Sequence, residues 1–144
     1  MNMNSFVKKW DGKGIQDDGP VTSDEFKEFA KDFKGVLKDM CQRNGWSLED
    51  FSKGHYDISG FLSRPMNNGS KAYIYYNFNV PRGEFPLSLR TEQFRQALLY
   101  RTAKNIHDYT GGSNSYCAVA DMEDWIQTKF GRIERMEGVE PRSL

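Results

Sequence analysis

From Lys71 to Val80 the chain reads Lys-Ala-Tyr-Ile-Tyr-Tyr-Asn-Phe-Asn-Val. Aromatic and β-branched residues are dense there and alternate at a period of two, the signature of a strand. Tyr73, Tyr75, Asn77 and Asn79 then share one face, and Ala72, Ile74, Tyr76, Phe78 and Val80 share the other. Upstream, Asp57-Ile58-Ser59-Gly60-Phe61-Leu62-Ser63 reads as a second strand. Met66-Asn67-Asn68-Gly69-Ser70 between the two is turn chemistry. The pair predicts an antiparallel hairpin, ended by Pro81, which has no amide to give the ladder.

A helix is predicted over 22–43. Thr22 and Glu25 fit a capping box, and Asp24 and Glu25 suit the positive end of the dipole. Phe26, Phe29, Phe33, Val36, Leu37 and Met40 recur at steps of three and four, while Lys27, Lys31, Lys34, Lys38 and Asp39 face away. Asn44-Gly45 supplies a left-handed stop. Trp46–Ser52 reads as strand or loop. Residues 81–92, with Pro81, Gly83 and Pro86, read as a connection. A helical turn near 91–96 and a strand over 97–103 follow, with helix as the alternative for the latter. Asp108–Asn114 reads as a loop. Val119, Met122, Trp125, Ile126 and Phe130 mark a second helix over 118–130, stopped by Gly131.

This order predicts an α+β fold: an antiparallel three- or four-stranded sheet with an N-terminal and a C-terminal helix packed on one face. Tyr73 and Tyr75 would lie on the open face. Residues 22–131 form the expected single domain, flanked by flexible tails at 1–21 and 132–144. Docking of Phe6, Val7 and Trp10 on the body is the competing reading of the N-terminal tail.

Composition narrows the function classes. Twenty basic and twenty acidic side chains cancel among 144 residues, against the broad basic footprint of a general nucleic-acid binder and against a polybasic membrane patch. Two cysteines make no disulfide framework, so a reduced cytoplasm is the expected setting. Aromatic residues at 14% offset a hydrophobic share of only 38%, enough for a packed domain.

The reactive residues are sparse. Cys41, His55, His107 and Cys117 lack paired ligand spacing, so no metal and no cofactor is expected. Cys41 sits beside the apolar stripe of the first helix and reads as a small core side chain. A Cys117–His107 nucleophile pair lies within reach across the glycine loop, but a structural cysteine is the simpler reading. Glu49, Asp50, Asp121, Glu123 and Asp124 suit solvated faces and helix starts, so no catalytic residue is assigned. Gly111-Gly112 offers amides to a phosphate but lacks a strand–loop–helix phosphate signature. The densest polar set is Arg101, Thr102, Lys104, Asn105, His107, Asp108 and Tyr109, which Arg90 and Arg95 would extend. A solvated strand end is its bland explanation.

The run Leu99-Tyr100-Arg101-Thr102-Ala103-Lys104, followed by Asp108-Tyr109-Thr110-Gly111-Gly112-Ser113-Asn114, resembles a recurrent motif of small uncharacterised proteins of bacterial mobile genetic elements. Phe51-Ser52-Lys53-Gly54-His55-Tyr56 and Ser59-Gly60-Phe61 resemble an earlier part of the same pattern. Small proteins of such elements include anti-CRISPR inhibitors. The resemblance therefore implies a non-enzymatic binding module whose partner is a host or element-encoded protein. A small nucleic-acid-binding accessory protein is the alternative, and a small hydrolase or transferase using His107 or Cys117 the second. The expected binding residues are Tyr73, Tyr75, Arg101, Lys104, His107, Asp108, Tyr109, Gly111, Gly112 and Asn114. No membrane partner is expected, and the oligomeric state is left open.

Overall fold

The computed structural model describes residues 1–15, 23–54, 57–96, 98–103, 105–107 and 112–136. In chain order the elements are α1 (Met3–Trp10), α2 (Asp24–Asn44), β1 (Ser47–Lys53), β2 (Asp57–Pro65), β3 (Lys71–Asn79), α3 (Leu87–Gln96), β4 (Leu98–Ala103), β5 (Ser115–Cys117), a 3₁₀ turn (Val119–Asp121) and α4 (Met122–Met136). The sheet has five strands, not three or four, in the order β1-β2-β3-β4-β5. Every pairing is antiparallel.

Alternation along β3 is realised as expected: Ala72, Ile74, Tyr76 and Phe78 are buried, while Tyr73, Tyr75 and Asn77 are half-buried. The apolar face packs with α1, α2, α3 and α4 in one core, so the helices lie together on one side of the sheet. Phe33 sits at its centre, within 6.5 Å of the rings of Phe6, Phe29, Phe51, Tyr76 and Phe78.

α2 buries all six residues of its predicted stripe. Its cap is Ser23, not Thr22: the Ser23 hydroxyl accepts from the Phe26 amide at 3.2 Å, and Thr22 lies outside the described residues. Gly45 closes the helix in the left-handed region, φ 71°, where only glycine carries no Cβ penalty.

The N-terminal segment differs most from expectation. Met3–Trp10 is a helix docked on the core, and Phe6 and Trp10 are 0% exposed. Eight residues cannot hold a helix in water unaided. Packing does it here: the Trp10 ring meets Phe29 edge-on at 5.2 Å, and its indole N–H donates to Asp32 Oδ2 at 2.9 Å. Ile15 is then tied to the segment after β3, its amide donating to the Pro81 carbonyl at 2.9 Å.

Three further boundaries shift. Residues 81–92 include the start of a helix, since α3 runs from Leu87 and buries Phe94. β5 occupies part of the segment after the glycine loop. α4 runs through Gly131 to Met136, because Phe130, Ile133 and Glu134 continue its inward face. Trp125, expected in the core, is 44% exposed; Met122, Ile126 and Phe130 carry the packing.

Candidate binding face

The sheet register sorts the open face into rows. Asp50 of β1, Phe61 of β2, Tyr75 of β3 and Arg101 of β4 stand directly opposite one another across four strands. Beside them run Ser52, Ser59, Asn77, Leu99 and Tyr116, and on the other side Ser47, Ser63, Tyr73 and Ala103. Carboxylate, two rings and guanidinium thus line up in the central row, at the spacing of neighbouring strands.

The central row is ordered by its own contacts. Phe61 is 6% exposed although it faces away from the main core, its ring tilted against Tyr75 at 5.4 Å. The Asn77 amide donates to Asp57 Oδ2 at 2.7 Å and to the Tyr75 hydroxyl at 3.2 Å. At one border the Ser63 hydroxyl donates to Glu49 Oε1 at 2.8 Å, and Lys71 pairs with the same carboxylate at 3.5 Å. Glu49 reaches this face because the β1–β2 register slips between Leu48 and Asp50, a β-bulge.

Arg101 has a structural duty besides its place on the face. Its guanidinium donates to the Gly112 carbonyl, fastening the returning loop to β4. Gly112 lies so close to Thr102 that a Cβ there would come within 2.7 Å of the Thr102 carbonyl oxygen. Gly112 is therefore a packing requirement. His107 and Asn114 are exposed, and the His107 amide donates to Asn105 Oδ1 at 2.7 Å. Lys104, Asp108, Tyr109 and Gly111 lie outside the described residues.

Arg90 and Arg95 do not join this group. Both belong to α3, on the helical side of the sheet. Arg95 pairs with Asp11 at 3.4 Å, and Arg90 lies against Gly14. Tyr116, 62% exposed, does join it and was missed by the sequence reading. Only the inward packing of Cys117 sets it outward, since neighbouring residues of a strand point to opposite faces.

Both thiols are in the core. Burial pushes the Cys41 thiol up to about 11. Burial, reinforced by Asp121, pushes Cys117 up to about 12. Protonated thiols of this kind are poor nucleophiles; Cys117 is buried and His107 exposed. Among the described residues no three His, Cys, Asp or Glu side chains cluster as metal ligands, and no helix is long and apolar enough to cross a membrane. A cavity of about 460 Å³ opens beside Asn44, Trp46, Arg64 and Gln127. Arg64 there is already paired with the buried Glu134 at 3.2 Å.

No family model, curated protein or solved structure matches the chain.

Proposed function

We propose that the protein is a non-enzymatic binding module that docks on a macromolecular partner, in the first place a protein, through the open face of its sheet. The observation that carries this reading is the group of Tyr73, Tyr75, Leu99 and Arg101, each partly exposed, with the exposed Tyr116, spread over adjoining rows of the sheet face opposite the described helices. Tyrosine and arginine are the side chains that most often anchor interfaces. Tyr75 is held by its contacts with Phe61 and Asn77, so little of its side-chain freedom is lost on docking. The resemblance to small mobile-element proteins supports the most concrete version, an anti-CRISPR-type inhibitor that occludes a host protein.

The test is capture of a partner from the native host by the tagged protein, repeated with Tyr73→Ala/Tyr116→Ala. Both positions lie away from the main core, so the double variant should melt like the wild type. It should lose about 2 kcal/mol or more of binding if either ring is a hot spot. Full binding by the folded double variant would overturn the reading.

A further inference from the structure

The dipeptide Asn-Gly occurs twice, as Asn44-Gly45 and as Asn68-Gly69. In such a pair the second residue has no Cβ to shield its amide nitrogen from the asparagine carboxamide. The fold puts the two copies in opposite settings. Asn44 is the last residue of α2, where side chains lean toward the helix N-terminus and so away from the next amide. Its Nδ2 donates to the Met40 carbonyl at 2.8 Å and to Glu123 Oε2 at 2.9 Å. Asn68 is exposed at the tip of the β2–β3 hairpin. Gly69 beside it sits at φ 86°, with nothing within 4 Å of where a Cβ would stand. The Asn68 carboxamide is held by its other end. Oδ1 accepts from the Ser70 amide at 3.0 Å and from the Ser70 hydroxyl at 2.5 Å, and among the described residues Nδ2 donates to nothing.

Two donors on Oδ1 draw electrons from the Asn68 carboxamide carbon, and they stand ready for the charge that builds on Oδ1 when that carbon is attacked. The atom next along the chain that can attack is the Gly69 nitrogen. Its N–H donates to the Met66 carbonyl at 3.1 Å, a single bond at an exposed tip that fraying of the turn releases. We propose that the β2–β3 turn is a self-modifying site at which Asn68 deamidates, with Gly69 as nucleophile and Ser70 as donor to the oxyanion. The Gly69 nitrogen loses its proton to solvent hydroxide and bonds to Cγ of Asn68. The Cγ–Nδ2 bond breaks, and Nδ2 takes a proton from water and leaves as ammonia. Water then opens the resulting cyclic imide at either carbonyl, giving aspartate or isoaspartate. Nothing is oxidised or reduced; the net change is water taken up, ammonia released and a negative charge added to a chain whose formal charge is zero. The site is at the end of the hairpin and does not depend on the reading of the open sheet face.

The experiment keeps the full chain in mildly alkaline buffer, folded or unfolded in urea. The peptides bearing Asn44 and Asn68 are followed by mass spectrometry, and released ammonia is assayed alongside. Unfolded, the two Asn-Gly pairs should convert at similar rates. Folded, Asn68 should keep converting, into two isomers that separate by chromatography. Asn44 should fall behind it by roughly 10-fold or more, because its conversion waits on opening of the helix end. Ser70→Ala should melt like the wild type and slow Asn68 in the folded chain by on the order of 10-fold, less than the 100-fold or more that a buried oxyanion donor supplies. The same substitution should have little effect in urea, where the turn is gone. Folding that protects Asn68 as fully as Asn44 would overturn the proposal, and so would an unchanged rate in the folded Ser70→Ala variant.

Discussion

At the scale of single residues, Gly60 shows how a side chain's absence shapes the candidate face. The Tyr76 hydroxyl donates to the Asp50 carbonyl at 3.0 Å, passing through the space where a Cβ on Gly60 would overlap that carbonyl. This bond satisfies the carbonyl at the bulge, and the bulge is what turns Glu49 toward the open face. Burial, aided by the Asp50 charge, pushes the Tyr76 phenol well above its usual range, so it remains a donor. Gly60→Ala should destabilise the fold by about 3 kcal/mol, the upper range for overpacking, because the obstructing atom is backbone and cannot rotate away. Tyr76→Phe should cost about 1 kcal/mol, the net worth of one hydrogen bond to a part-buried carbonyl. Urea denaturation of both variants checks this, and wild-type midpoints would refute it. Arg101 likewise serves two ends: Arg101→Ala should lower thermal stability as well as binding, since the Gly112 carbonyl loses its donor.

At the scale of elements, legibility followed length and period. α2 and the β2–β3 hairpin were readable because several side chains repeat one spacing and end at glycine or proline. α1 and β5 were not. α1 offers only Met3, Phe6, Val7 and Trp10 amid polar residues, and β5 has three residues, too few to establish a period. Both exist because the core accepts them, a tertiary effect that no local pattern announces. Trp125 failed for a related reason: the 3.6-residue period admits it beside Met122 and Ile126, and only the packed neighbour decides which flank is covered. Of the site, the alternation that puts Tyr73 and Tyr75 on one face was legible, but the side Arg101 takes was not, since 97–103 read as strand or helix, and the separation of Arg90 and Arg95 depended on which side of the sheet α3 would take. The weight of α1 is measurable. Trp10→Ala should cost about 3–5 kcal/mol, as expected for emptying a buried aromatic site. A urea midpoint equal to wild type would show α1 to be dispensable.

At the scale of the whole molecule, the core's titratable groups set a direction for stability against pH. The thiols of Cys41 and Cys117 and the phenol of Tyr76 are neutral when protonated, and burial raises all three above their unfolded values. The folded state therefore disfavours losing those protons. Their contribution to stability is complete below the unfolded thiol value of 9.0 and is lost as pH rises through 11 and 12. Denaturation midpoints should hold from pH 7 to 9 and then fall, and thiol-reactive reagents at pH 8 should label both cysteines only after unfolding. A midpoint unchanged up to pH 12, or rapid labelling of the native protein, would contradict the burial of these groups.

Finally, a sheet can recruit a partner along its rim as well as on its surface, by extending the ladder with a foreign strand. Here both rims discourage that. One ends in β5, which offers three residues to an incoming strand, and the other is β1, whose ladder is interrupted between Leu48 and Asp50. Short margins and bulges are among the devices by which natural proteins avoid strand-to-strand aggregation. For the proposed binding they also favour one approach: a partner coming broadside would meet side chains rather than amides. Recognition would then be governed by which residues the strands display and be insensitive to the partner's ability to adopt an extended backbone.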